Sequence, residues 1–187
     1  GIKHLAVESD DGKIINLIEA GQLLRLKDHG IYFAAREIKE CNNLEDVVKI
    51  TGNLADQVRI MLDRDDDPVE ISRLVSSIAD AATEKIIDLC VSELGNPPCD
   101  FCFMVVGSQG RKEMTLGSDQ DNAIVYGDPD SEVGKKSAEA YFQNLGRMVS
   151  DGLHQAGFPY CQGQIIASKP KWVLPLRSWE SVFRDWI

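Results

Sequence analysis

FCFMVVGSQGRKEMTLGSDQDNAIVY, residues 101–126, sets two apolar runs on either side of a polar centre. Phe101 to Val106 and Ala123 to Tyr126 are short, apolar and rich in aromatic and β-branched residues, which predicts two buried strands. Between them a glycine-serine turn, Gly107-Ser108, leads to two carboxylates one residue apart, Asp119 and Asp121. A hairpin that presents a polar mouth is the simplest geometry for this order.

The residues of that mouth fit metal-bound nucleotide. On a strand, residues two apart face the same way, so Asp119 and Asp121 project to one side and Gln120 to the other. Two carboxylates sharing one side repel, and a divalent cation turns the repulsion into chelation. Oxygen-only ligation favours Mg2+ or Mn2+, which retain waters and take further ligands from nucleotide phosphates. Gly107 lets the backbone approach phosphate oxygens, Ser108 adds a hydroxyl donor and Arg111 a nearby cation. If Gln109 to Glu113 open a short helix, its free N–H groups also face the anion. Gly107, Ser108, Gly110, Arg111 and Ser118 are the nucleotide-binding candidates, and Asp119 and Asp121 the catalytic and metal-binding ones. An exposed acidic turn explains the carboxylates alone, and a permissive turn explains the glycines alone. Neither explains the joint pattern.

Other motifs fail on inspection. There is no Gly-x-x-x-x-Gly-Lys-Ser/Thr loop, and the glycines do not make a dinucleotide fingerprint. A calcium loop read from Asp119 puts Ile124 where glycine is needed, and one read from Asp63 puts Pro68 there. Cys99 and Cys102 have metal or redox spacing, but no second pair follows and His4, His29 and His154 are scattered, so they read as the start of a buried strand. His154 reads as surface or packing.

The 187 residues, 43% hydrophobic, suffice for one compact domain or two small ones. A formal charge of −10 and a pI of 4.7 argue against a broad nucleic-acid or anionic-membrane footprint. No apolar run approaches the roughly 20 residues of a membrane span, and no signal pattern opens the chain. Five cysteines, an odd number at low density, fit a reducing compartment. The expectation is a soluble, cytoplasmic protein.

Along the chain, three segments separate. Residues 1–29 read as strand (His4 to Val7), turn (Asp10 to Lys13), strand (Ile14 to Ile18) and helix (Gln22 to Lys27). So few elements cannot cover both faces of a sheet, so the segment either pairs with another chain, as in a homodimer, or is the remainder of a larger domain. Residues 30–96 have helical periodicity, with Asn43 as an N-cap and Asp65-Asp66-Asp67-Pro68 opening a helix that ends at Gly95-Asn96-Pro97-Pro98. In 97–187, Ser131 to Ala156 reads as a helix, Gln164 to Ala167 as a short strand and Leu176 to Ile187 as an amphipathic helix. The fold class is α+β, a helical bundle followed by a small sheet core flanked by helices.

Gly107-Ser108, the eleven-residue step from Ser108 to Asp119, and Asp121 on an apolar strand resemble the signature of the polymerase-beta-type nucleotidyltransferase superfamily. The fuller string GSQGRKEMTLGSDQDN, with Cys161-x-Gly163, Ala167-Ser168-x-Pro170-x-Trp172 and Trp186-Ile187, resembles a branch found downstream of CBS or cyclic-nucleotide-binding domains. That branch is similar to the PII-protein uridylyltransferases. His4-Leu5-x-Val7, the acidic turn and Gly12-Lys13-Ile14 resemble the last portion of a CBS domain.

The resemblance implies a mixed sheet and transfer of a nucleoside monophosphate from a nucleoside triphosphate to a protein or small-molecule acceptor, within a larger signalling protein. It implies that Gly107 and Ser108 hold the triphosphate tail, that Arg111 steadies it, and that Asp119 and Asp121 carry two divalent ions. Active members usually add a third carboxylate from a later strand, and Cys161 to Ser168 contains none. The expectation is that the missing carboxylate lies beyond Ile187, or that the chain binds nucleotide without turning it over.

Overall fold

The computed structural model describes residues 4–9, 11–19 and 30–186. The N-terminal pair is an antiparallel hairpin of β1 (His4–Glu8) and β2 (Ile14–Glu19). Gly12, at φ 80°, makes its turn. The helix expected over Gln22 to Lys27 lies outside the described residues.

Four helices follow: α1 (Gly30–Glu40), α2 (Leu44–Thr51), α3 (Leu54–Asp63) and α4 (Pro68–Leu94). Their starts follow from local chemistry. The Asn43 side chain accepts the Asp46 N–H at 2.9 Å, and the Asp67 carboxylate accepts the Val69 N–H at 2.9 Å just ahead of Pro68. Gly95, at φ 86°, ends α4 in a conformation that most side chains resist. Ile71, Val75, Ile78, Ala82 and Ile86 form its buried stripe. Against α4 pack α1 on one side and α6 (Glu132–Gln155) on the other.

The three-stranded sheet has the order β3 (Phe101–Val105), β4 (Asn122–Tyr126), β5 (Val173–Pro175). The first two strands are antiparallel, as the hairpin reading requires, and the last two are parallel, so the sheet is mixed. Period-2 alternation supplies both faces. Ile124 and Tyr126 join the main core, where Tyr126 stacks on Phe142 of α6 with ring centroids 4.7 Å apart. Ala123 and Val125 face the smaller cluster of Trp172 and Trp179. Trp179, on α7 (Leu176–Trp186), also donates its indole N–H to the Ile124 carbonyl at 3.0 Å.

One element differs from expectation. Residues 164–167 form no strand, the chain bending into a turn at 166–168, and the third strand is 173–175 instead. Gln164 sits at φ 62°, the Lys169 N–H bonds back to Ile166 O at 2.9 Å, and Pro170 opens a 3-10 turn over Pro170–Trp172. The extended pairing predicted from Ile165-Ile166 is confined to one backbone bond, from Asn122 N–H to Ile165 O at 3.1 Å, after which the chain turns and Asn122 Oδ1 accepts the Ala167 N–H at 2.8 Å.

Candidate active site

The polar residues gather where β3 ends and β4 begins. The chain leaves β3 at Val106 and turns through α5 (Gly107–Gly110), a helix of one turn. Gly107 is at φ 59°, and a Cβ there would lie 2.2 Å from Asp121 Oδ2. The position therefore has two reasons to be glycine, its backbone angle and the carboxylate lying against it. A Cβ on Gly110 would come within 3.0 Å of the Val105 carbonyl, so the second glycine lets the turn lie flat on the strand end.

Asp119 and Asp121 precede β4 rather than standing within it, yet the alternation expected of a strand is kept. Val106 N–H bonds to Asp121 O at 2.9 Å, continuing the ladder by one residue. Gln120 points away from the mouth, 1% exposed, donating to Ser150 O and Phe158 O at 3.0 Å each. A bridge to Tyr160 holds the same residue in place. With Gln120 fixed inward, the half-buried carboxylates on either side face the mouth together.

A third group joins them. Cys161 Sγ and one oxygen each of Asp119 and Asp121 lie within 4.8 Å of one another. The neighbouring Gln162 N–H donates to Asp119 Oδ2 at 3.1 Å. Burial pushes the Cys161 thiol up, and its hydrogen bond to Asp121 pushes it further, so the sulfur keeps its proton at neutral pH. Two carboxylates and a polarisable sulfur converging on one point are a donor set that a divalent cation fits. Cys161 is a site residue that sequence reasoning did not single out; its signal lay in the Cys161-x-Gly163 motif.

The remaining candidates have specific surroundings. Ser108 is half-buried, and its hydroxyl makes no hydrogen bond among the described residues. Arg111 is exposed and its Nε donates to Glu113 Oε2 at 2.9 Å, so its charge is engaged on the surface. Ser118 Oγ accepts the Thr115 N–H at 2.9 Å and closes the turn that delivers Asp119.

Sequence reading also missed what holds the loop in place. Gln109, 3% exposed, donates to Asp80 Oδ1 and Thr83 Oγ1 of α4 at 3.2 Å each. Lys112 pairs with Asp80, and the Met114 N–H bonds to Ser76 Oγ at 3.1 Å. Ser76, Asp80 and Thr83 recur at helical spacing, so one face of α4 carries the whole loop.

An α+β core with a glycine turn laid over paired carboxylates at the mouth of a mixed sheet is the architecture of a nucleotidyltransferase-type domain. The chain belongs to the family described as "Putative nucleotidyltransferase DUF294", whose model matches residues 52–187. No curated protein matches the chain, and no solved structure does. Among the described residues no helix is long and apolar enough to cross a membrane.

Proposed function

We propose that the chain transfers a nucleoside monophosphate from a nucleoside triphosphate to an acceptor hydroxyl. The observation that carries this reading is the convergence of Asp119 and Asp121, with Asp121 lying against the side-chain-free face of Gly107. The acceptor hydroxyl would give its proton to water as its oxygen attacks the α-phosphorus, the bond from that phosphorus to the α–β bridging oxygen would break, and pyrophosphate would leave. Asp119 and Asp121 would hold Mg2+ or Mn2+. Divalent cations bound there would supply charge stabilisation to the acceptor oxygen and to the departing pyrophosphate.

The chain's own residues have positioning roles in this account. Gly107, Ser108 and Gly110 receive the triphosphate tail, the glycines by allowing close approach and Ser108 through its available hydroxyl. Arg111 exchanges an exposed ion pair with Glu113, worth up to about 1 kcal/mol, for phosphate. Ser118 shapes the turn into Asp119. The family membership supports the transfer chemistry. The acceptor class stays broad: a small protein modified on tyrosine, as in PII uridylylation, a small molecule or another nucleotide.

The β1–β2 hairpin and the His4 to Ile14 motif support a place behind a CBS pair in a signalling protein. Ile14, Ile15 and Leu17 are more than half exposed on that hairpin, which supports pairing with another chain, as in a homodimer. All five cysteines are free thiols, in keeping with the reducing cytoplasm.

A second reading has its own observation. Since the loop is bonded to α4 at Ser76, Asp80 and Thr83, nucleotide binding without transfer would still be passed to the helical segment. Incubation with α-labelled nucleoside triphosphates and candidate acceptors separates the two. Transfer predicts acceptor labelling that disappears in Asp119→Asn/Asp121→Asn. Binding without labelling under all four nucleotides favours the regulatory module.

A further inference from the structure

Cys161 is a buried free cysteine that does not pack as an apolar residue. It is 6% exposed, yet it belongs to neither hydrophobic cluster. Its sulfur lies instead within 4.8 Å of a carboxylate oxygen of both Asp119 and Asp121. The backbone around it is fixed on both sides: Tyr160 bridges Gln120, and the Gln164 N–H bonds to Cys161 O at 3.1 Å. Gln162, its neighbour, holds Asp119. The sulfur is therefore presented to both carboxylates by tertiary bonds rather than left over from core packing.

We propose that Cys161 is the third protein donor of the cation site and that it moves the site's preference from Mg2+ toward Zn2+, Co2+ and Mn2+. The inference rests on the reading of Asp119 and Asp121 as cation ligands. Mg2+ takes hard oxygen donors in a near-octahedral shell, whereas a thiolate suits borderline cations and adds affinity along the series from Mn2+ to Zn2+. On coordination the S–H bond gives way to a sulfur–metal bond, and the proton passes to water.

Metal alone is the probe, with the 187-residue chain carrying Cys99→Ser and Cys102→Ser so that the neighbouring Cys-x-x-Cys spacing contributes nothing. Co2+ should produce a sulfur-to-metal charge-transfer band in the near ultraviolet that Cys161→Ser abolishes. Calorimetric Zn2+ affinity should fall roughly tenfold or more in that variant while Mg2+ affinity changes less than about twofold. Cys161→Asp should narrow the Zn2+-over-Mg2+ margin, strengthening Mg2+ and weakening Zn2+, which guards against a loss caused by misfolding alone. An unchanged band in Cys161→Ser, or a Zn2+-over-Mg2+ margin as wide in Cys161→Asp as in the parent chain, overturns the proposal. Asp119→Asn/Asp121→Asn locates such a failure. If Co2+ still binds that variant, the carboxylate reading has failed and the inference with it. If binding is lost there but Cys161→Ser changes nothing, the third-donor assignment alone has failed.

Discussion

At Gly107 the backbone and a carboxylate compete for the same space. Sequence alone justifies glycine there by its freedom to approach phosphate, but the nearer constraint is Asp121, whose Oδ2 would lie 2.2 Å from an added Cβ. Gly107→Ala should cost about 1–2 kcal/mol from the left-handed backbone angle, and should also push Asp121 out of line. The expected outcome is a lowered urea midpoint together with loss of divalent-cation binding. Unchanged cation affinity would show that the contact does not set the carboxylate's position. That Asp119 and Asp121 share one side was legible because a carboxylate spacing is local. Cys161 was not, because it reaches the carboxylates through tertiary bonds, the Tyr160–Gln120 bridge and the Gln162–Asp119 hydrogen bond, which join residues far apart in the chain.

Elements were legible where capping chemistry marks them. Asn43, Asp67 with Pro68, Gly95 and Ser131 bound their helices as their side chains and angles dictate. The 166–168 turn was not legible, since Ile165-Ile166 has the composition of a strand and the deciding bond comes from Asn122. The same turn lies against Gly146 of α6, where a Cβ would sit 2.2 Å from the Ala167 carbonyl oxygen. Gly146→Ala should destabilise by about 1–3 kcal/mol through overpacking, read as a shift in the urea midpoint. The loop's attachment to α4 makes a parallel prediction. Gln109→Ala removes the donor to Asp80 and Thr83 and should cost about 1–3 kcal/mol. It should also weaken nucleotide binding without touching a carboxylate. An unaltered midpoint and affinity would mean that α4 does not position the loop.

Across the whole molecule, the sheet is covered on one face by α6 and on the other by Trp172 and Trp179, so the mouth opens at the strand ends. The α+β class followed from alternating and helical periods, but the parallel β5 depends on contacts made after the 166–168 turn and leaves little trace in its three residues. Burial also sets a limit at high pH. It pushes the Cys90 thiol up to about 11, and it raises Cys41. Folded thiols that hold their protons more tightly than unfolded ones stabilise the fold fully below about pH 9, and that contribution is lost as pH rises toward 11. For Cys90 the loss is about 3 kcal/mol at most. Urea midpoints should therefore fall between pH 8 and pH 10.5, and Cys90→Ala should flatten the decline.

Whether the mouth holds cation-bound nucleotide is read by calorimetric titration of the chain with each nucleoside triphosphate, with and without Mn2+. Binding should be saturable, should require the cation and should disappear in Asp119→Asn/Asp121→Asn, with the fold of that variant intact by circular dichroism. Nucleotide binding of equal strength without the cation, or in the doubly substituted chain, would contradict a cation-dependent nucleotide site at the mouth.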